Sequence, residues 1–303
     1  MATEHSPSTD LGDGVSRWRG AAFRVLTLGA TLFGIVALFV LLLYVAYDAV
    51  NWLSLVGEEP TVLSYLTNPS SRFPEEAGIY PALVGSVFMM VFVALMAFPL
   101  GVGTAIYLEE YAGDGRLTQL IQVNISNLAG VPSVVYGILG LAVFVRTLGM
   151  DYGTVIVGAA TISLLILPIV IISSQEAIRS VPDSLRQASY GMGATRWQTI
   201  REVVLPNALP GILTGTILAL GRAIGETAPL IMIGFASAIY TAPTSPFDKA
   251  SAMPMQIFAW ADLPQPEFQH GVVAAGVVVL LVVLLTMNGV AIYIRNKFQK
   301  QGV

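Results

Sequence analysis

The stretch Gly221-Arg-Ala-Ile-Gly-Glu-Thr-Ala-Pro229 decides how this chain is read. It sets Arg222 and Glu226 inside a run that otherwise reads as membrane-buried helix. A charge at bilayer depth costs about 2.5–3.5 kcal/mol even on insertion scales, so it is rarely present without a partner or a task. A spacing of four puts both side chains on one helix face, where they can neutralise each other. Gly221 and Gly225 on either side of Ile224, and Pro229 beyond, let the backbone bend or open there. A polar, breakable point in an apolar span has the character of a solute pathway.

The surrounding chain supports a membrane setting. Of 303 residues, 55% are hydrophobic and 11% charged, with mean hydropathy +0.73; a soluble domain carries about 25% charged residues. A helix needs about 20 apolar residues to cross the hydrocarbon. Six stretches qualify: 25–47, 79–108, 117–145, 152–174, 203–239 with the charge pair inside it, and 271–294. The expected fold is therefore an all-α polytopic membrane protein with six transmembrane helices. The first stretch exceeds the apolar core of a signal peptide and has no convincing cleavage site after it, so it reads as a retained helix.

Six crossings place both termini on one side. Eleven basic residues, from Arg17 to Lys300, fall on that side, against Arg72, Arg146 and Lys249 on the other. The basic side is cytoplasmic, giving an N-in/C-in arrangement. Nine acids on each side leave the outer face at −6, which repels a free anion rather than steering it. An anionic solute would need separate delivery. With no cysteine, thiol catalysis, disulfides and thiolate metal sites are excluded. His5 and His270 stand alone in sequence, and neither reads as a metal ligand.

Residues 1–20 read as a polar cytoplasmic tail, 21–48 as the first transmembrane helix, 49–78 as an external loop, and 79–298 as the main five-helix domain. In the third span, Ser133 and Gly137 form a small-xxx-small pair that allows close helix approach, and Asn124 with Asn127 favours interhelical hydrogen bonds. Pro99, Pro132 and Pro168 predict kinks.

A cytoplasmic loop over about 176–207 is the second informative region. Ser180-Val-Pro-Asp183 predicts a capped helix start, and Gly191 and Gly193 break that helix. Thr195-Arg-Trp-Gln198 is a capping-box pattern opening a second helix. It sets Trp197, Ile200, Val203 and Val204 largely on one face before Leu205-Pro206 turns the chain into the membrane. Physics alone leaves two readings open: docking to a cytoplasmic partner, or an interfacial helix pair on lipid.

The motifs favour docking by resemblance. Gln187-Ala-Ser-Tyr-Gly-Met-Gly193, followed after nine residues by Val203-Val-Leu-Pro206, resembles the EAA loop of ABC importer membrane subunits. Gln187 stands where that pattern has Glu, Ser189 replaces the second Ala, and Val203 replaces Ile. Gln187 keeps hydrogen-bonding reach without the charge. Within that family, 221–230 and Asn127-Leu-Ala-Gly-Val-Pro-Ser-Val-Val-Tyr-Gly137 are similar to motifs of phosphate-specific (Pst) permeases, and Glu-Thr-Ala-Pro favours the PstA type. Leu263-Pro-Gln-Pro-Glu-Phe268 and Ala291-Ile-Tyr-Ile-Arg-Asn296 also look like that type.

The resemblance implies a type I ABC importer permease fold over roughly 80–298 and a non-catalytic subunit. It implies a PstC-like permease in a heterodimer, a PstB-like ATPase dimer that binds ATP and Mg, and a PstS-like phosphate-binding protein that delivers the anion; no nucleic acid is implied. No cofactor is expected in this chain. Its three lysines, Lys249, Lys297 and Lys300, follow no Gly-x-x-x-x-Gly, so it has no P-loop. The resemblance also gives Gln187, Ala188, Gly193, Val203, Leu205 and Pro206 a coupling role towards the ATPase. Arg222 would meet phosphate, since a guanidinium forks two donors onto oxyanion oxygens. Glu226 would hold Arg222 and release the anion onward. Alternatives are a sulfate or molybdate permease, an ion-coupled carrier, for which no mirrored broken helix is visible, and an intramembrane enzyme, for which no nucleophile or metal cluster lies in a span. The cytoplasmic (inner) membrane of a prokaryote is the expected location.

Overall fold

The computed structural model describes residues 17–53, 60–113 and 115–299. Most of the tail expected over 1–20 lies outside them. In chain order the helices are α1 (Arg17–Trp52), α2 (Val62–Thr67), α3 (Tyr80–Ile106), α4 (Arg116–Ala129), α5 (Ser133–Gly140), α6 (Val155–Arg179), α7 (Asp183–Gly191), α8 (Arg196–Thr199), α9 (Leu205–Ala223), α10 (Ala228–Met232), α11 (Met253–Ala261) and α12 (Val273–Gln299). Among the described residues there is no strand; Thr154 and Lys249 form an isolated bridge. The all-α expectation holds.

Among the described residues, five helices are long and apolar enough to span a membrane: Gly20–Trp52, Tyr80–Tyr111, Val155–Arg179, Arg196–Ala223 and Phe268–Lys297. The sixth crossing is a broken one, Arg116–Ala129 followed by Ser133–Thr147, bent by 107°. Polar contacts fix which ends lie together. Arg179 grips Glu109 at 2.7 Å, so α3 and α6 finish on the same side, and the bent pair must carry the chain across between them. Tyr65 of α2 donates to the Val272 carbonyl at 2.9 Å, and Ser86 of α3 accepts from the Met253 amide at 2.8 Å, on the opposite side. Burial pushes the Tyr65 phenol far above its ordinary range, so it stays a donor at every working pH.

Several local expectations are corrected. The first helix is longer than 21–48, and the segment 49–78 holds the end of α1, the capped helix α2 and a 3₁₀ turn over Pro74–Glu76 rather than loop alone; 54–59 lie outside the described residues. Thr61 and Ser64 form a reciprocal capping box there, a local signal the apolar scan passes over. α3 and α6 run through Pro99 and Pro168 as single helices, and the chain turns sharply only at Pro132. There Gly130 caps α4, and Tyr136 donates to the Leu128 carbonyl at 2.8 Å across the bend. Asn124 donates back to Leu120 in its own helix at 2.7 Å, so it does not make the expected interhelical bond. His270 is not alone: its Nδ1 lies 3.6 Å from Asp48 and 3.4 Å from the Tyr44 hydroxyl.

The core surrounds α6, whose residues Val155, Val157, Ala159, Ile162, Ile166 and Val170 have no exposed surface. Glycines set the closest approaches. A Cβ at Gly101 of α3 would lie 2.6 Å from Val170, and one at Gly211 of α9 would lie 2.8 Å from Ala177. α1 is different: the span 20–52 is exposed along most of its length and meets the bundle at its outer end through Ala49.

Candidate translocation and coupling site

The fifth span does not continue to 239 as expected. α9 ends at Ala223, and the chain opens at Gly225–Thr227 before the short α10. Gly225 and Glu226 donate to the Arg222 and Ala223 carbonyls at 3.3 and 3.2 Å, a turn that closes the helix. Two Gly residues near the end and Pro229 at the start of α10 explain why it stops here.

The depth of this break follows from antiparallel packing. Gly211 faces Ala177 and Gly215 faces Ser173 on α6. Continued in the same register, seven residues further along α9, Arg222 reaches the level of Ile166, near the middle of α6. The helix therefore ends close to the bilayer midplane. Non-helical backbone at that depth is tolerated only where protein or a water-filled cavity covers it.

Around the break, the third-span motif and the charge-pair motif meet. A Cβ on Gly137 would lie 2.7 Å from the Pro229 Cα and 2.8 Å from Met232, and one on Gly140 would run into Thr161. The small-residue reading of Gly137 is thus borne out, with α10 as the partner. Gly137→Val is expected to force α5 off α10, an overpacking cost of about 1–3 kcal/mol. A lowered melting temperature of the purified complex would check it; an unchanged one would show that the contact gives way freely.

Arg222 and Glu226 do pair, but weakly: one contact, Nε to Oε1, at 3.3 Å. The Arg222 side chain is 51% exposed and that of Glu226 15% exposed. Among the described residues the two terminal guanidinium nitrogens have no hydrogen-bond partner, which leaves the forked end available. Asn288 of α12 lies behind, its Oδ1 buried without a partner and 3.4 Å from the Cβ position of Gly221. Sequence reading passed over Asn288; a lone amide inside an apolar helix is the signal that marks it.

The cytoplasmic loop forms the two expected helices with corrections. Ser180 does not cap α7. Its hydroxyl donates back to Ala177, while Pro182 occupies the cap position and Asp183 the first turn. Thr195 makes the predicted capping box with Gln198. Ile200 and Val204 are buried and Val203 half-buried, but Trp197 is 57% exposed and off that face. The chain does not turn at Leu205-Pro206. A π-helical turn at Ile200–Val204 shifts the hydrogen-bond register ahead of Pro206, so the missing N–H breaks nothing and Arg196–Ala223 is one span.

Of the coupling residues, Gln187, Ala188, Gly193 and Pro206 are exposed, and Leu205 is half-buried like Val203. Gly193 holds φ +85 with open space where a Cβ would stand, and Met192 beside it is 88% exposed. These residues lie at the cytoplasmic end, well away from Arg222. One helix, Arg196–Ala223, joins the two regions.

Sequence reasoning missed the polar knot beneath this loop. Glu109 accepts from Gln175 at 2.8 Å and from Arg179 Nε and Nη2 at 2.8 and 2.7 Å. Arg186 of α7 reaches Glu110 at 3.1 Å, and Ser189 shares a hydrogen bond with Thr199 at 2.8 Å. The Arg196 guanidinium lies over the Tyr111 ring at 5.3 Å. The acidic doublet at the end of the second span was the available signal.

The chain is 38% identical over 216 residues to a protein of Mycobacterium leprae named phosphate transport system permease protein PstA, covering 70% of this chain and 69% of that one. It is 35% identical to a Bacillus subtilis protein named probable ABC transporter permease protein YqgI, covering 70% and 72%. A Yersinia pestis protein also named PstA is 30% identical, covering 87% and 85%. Among solved structures, a bacterial alginate ABC transporter with its pentasaccharide-bound periplasmic protein overlays with TM-score 0.68 at 16% identity, covering 94% and 97%. The inward-facing methionine transporter MetNI overlays with TM-score 0.57 at 18% identity, covering 73% and 94%. The latter two show shared fold. The model of the binding-protein-dependent transport system inner membrane component matches residues 97–300, and the chain belongs to that family.

Proposed function

We propose that this chain is the PstA-type membrane subunit of an ATP-driven phosphate importer, with Arg222 and Glu226 on the translocation path and the 176–207 loop as its coupling element. Membership of the family makes it a non-catalytic inner-membrane subunit that works with a partner permease, a separate ATPase and a substrate-binding protein. The finer assignment gives it PstC-like, PstB-like and PstS-like partners. It draws support from the names of relatives at 30–38% identity. The carrying observation is a half-exposed guanidinium at a helix break near the midplane, its forked end uncommitted.

The neighbouring carboxylate suits an oxyanion that carries its own proton. An ionised carboxylate only accepts hydrogen bonds. Phosphate at neutral pH can donate one to Glu226 while its other oxygens take Arg222. Sulfate has no proton to donate and meets repulsion, so an unpaired acceptor counts against it. The test is the complex purified with its native partners and binding protein, with ATP hydrolysis measured across phosphate, sulfate and molybdate. Phosphate is expected to stimulate most; maximal stimulation by sulfate overturns the assignment. Glu226→Gln is expected to narrow the phosphate-over-sulfate preference in transport at least fivefold, and an unaltered preference removes Glu226 from the selection step.

A further inference from the structure

We infer that the Arg186–Glu110 ion pair is a positioning link through which movement of α7 reaches the cytoplasmic ends of α3 and α6. The inference builds on the reading of 176–207 as the loop that docks the ATPase. It adds which bond carries the displacement away from that loop.

The pair is unusual for a cytoplasmic surface. Arg186 is 15% exposed and Glu110 8% exposed, whereas the neighbouring Arg179 is 57% exposed. Arg186 uses both terminal nitrogens. Nη2 reaches Glu110 Oε1 at 3.1 Å and the Ile178 carbonyl at 2.9 Å, while Nη1 reaches the Val181 carbonyl at 2.5 Å and Asp183 at 3.2 Å. Ile178 lies in the last turn of α6, where its carbonyl also takes a long bond of 3.3 Å from the Val181 amide, and a cation there meets the negative end of the helix dipole. Glu110 sits in the π-helical turn Tyr107–Tyr111 that ends the second span. One side chain on α7 therefore clamps two membrane helices at once.

Besides the continuous helix Arg196–Ala223, the other side-chain links around α7 are fewer or softer. Ser189 bonds Thr199, which passes displacement only into α8 and α9. The Arg196–Tyr111 contact is a cation over a ring face, not a directed bond. The Glu109–Arg179 pair ties α3 to α6 but has no member in α7. Because Glu110 and Arg186 are both largely shielded from water, their attraction is screened little by salt. Losing one partner would leave the other charge buried, which strains the whole joint.

The chain contains no cysteine, which permits a reversible test. Glu110→Cys and Arg186→Cys are combined, and the complex is reconstituted in liposomes with its partner permease, ATPase and binding protein. Phosphate taken up per ATP hydrolysed is compared before and after bridging the thiols with a short bifunctional methanethiosulfonate, then after cleavage with dithiothreitol. The expected result is retention of the ATPase throughout, a ratio at least fivefold below wild type when reduced, and recovery to at least half of wild type when bridged. A wild-type ratio in the reduced complex overturns the link, as does a bridged ratio that fails to rise. Loss of the ATPase on reduction also overturns it, since the pair would then only shape the docking surface. Should the double variant not assemble, Glu110→Gln serves, with a ratio lowered at least twofold expected and an unchanged ratio overturning. Failure of the docking reading is distinguishable: Met192→Asp would then leave the ATPase bound, whatever the bridged pair does.

Discussion

Arg222→Gln is expected to lower phosphate uptake at least 100-fold while the complex still assembles and hydrolyses ATP. A hydrogen bond to a charged group contributes about 1.5–3 kcal/mol, and a forked guanidinium makes two. Losing both removes about 3 kcal/mol or more, which is two orders of magnitude in rate. The existing contact to Glu226 is a single 3.3 Å bond from Nε, so the native helix end depends little on it. What Arg222→Gln does leave behind is Glu226, largely buried and newly unpaired. The double variant Arg222→Gln/Glu226→Gln removes that charge and is expected to assemble like wild type yet remain inactive. Arg222→Lys separates charge from shape: a point charge without the fork should retain partial activity, about tenfold down. Uptake at the wild-type rate by Arg222→Gln would take the guanidinium off the pathway.

Gly193→Trp should cut the ATPase retained in a pull-down at least tenfold. The position is informative because two effects can be separated. Its φ of +85 strains any side chain by about 1–2 kcal/mol, but the space around a Cβ there is empty within the chain. Gly193→Ala therefore carries the same strain without bulk and is expected to keep most of the ATPase. Met192→Asp carries no such backbone strain. It places a charge on a side chain 88% exposed at the loop tip, where an apolar anchor suits a partner's cleft. Normal co-purification of both Gly193→Trp and Met192→Asp would move the docking surface elsewhere.

How much of this was legible in the sequence depended on whether the signal was local. Apolar length marked all six crossings, and Thr195 with Gln198 announced its capping box. The Arg222–Glu226 spacing gave the right pairing, since four residues stay close whether the backbone is helix or turn. Tertiary facts were hidden. Pro99, Pro132 and Pro168 read alike, yet only Pro132 follows a glycine that ends its helix and has Tyr136 to staple the bend. Pro206 read as a turn because the compensating π-helical register at Ile200–Val204 leaves no compositional trace. The Arg186–Glu110 pair joins residues 76 apart in sequence, which no window reaches.

One consequence of the close packing of Gly215 on Ser173 is mechanical advantage. At about 1.5 Å rise per residue, that contact stands roughly 27 Å from Trp197 and roughly 10 Å from Arg222. Pivoted there, the span Arg196–Ala223 is a lever with unequal arms. A push of a few ångströms at the cytoplasmic end arrives at the midplane as a displacement of about one, delivered with more than twice the force. Such gearing suits prying apart a single 3.3 Å ion contact better than swinging a helix across a pore.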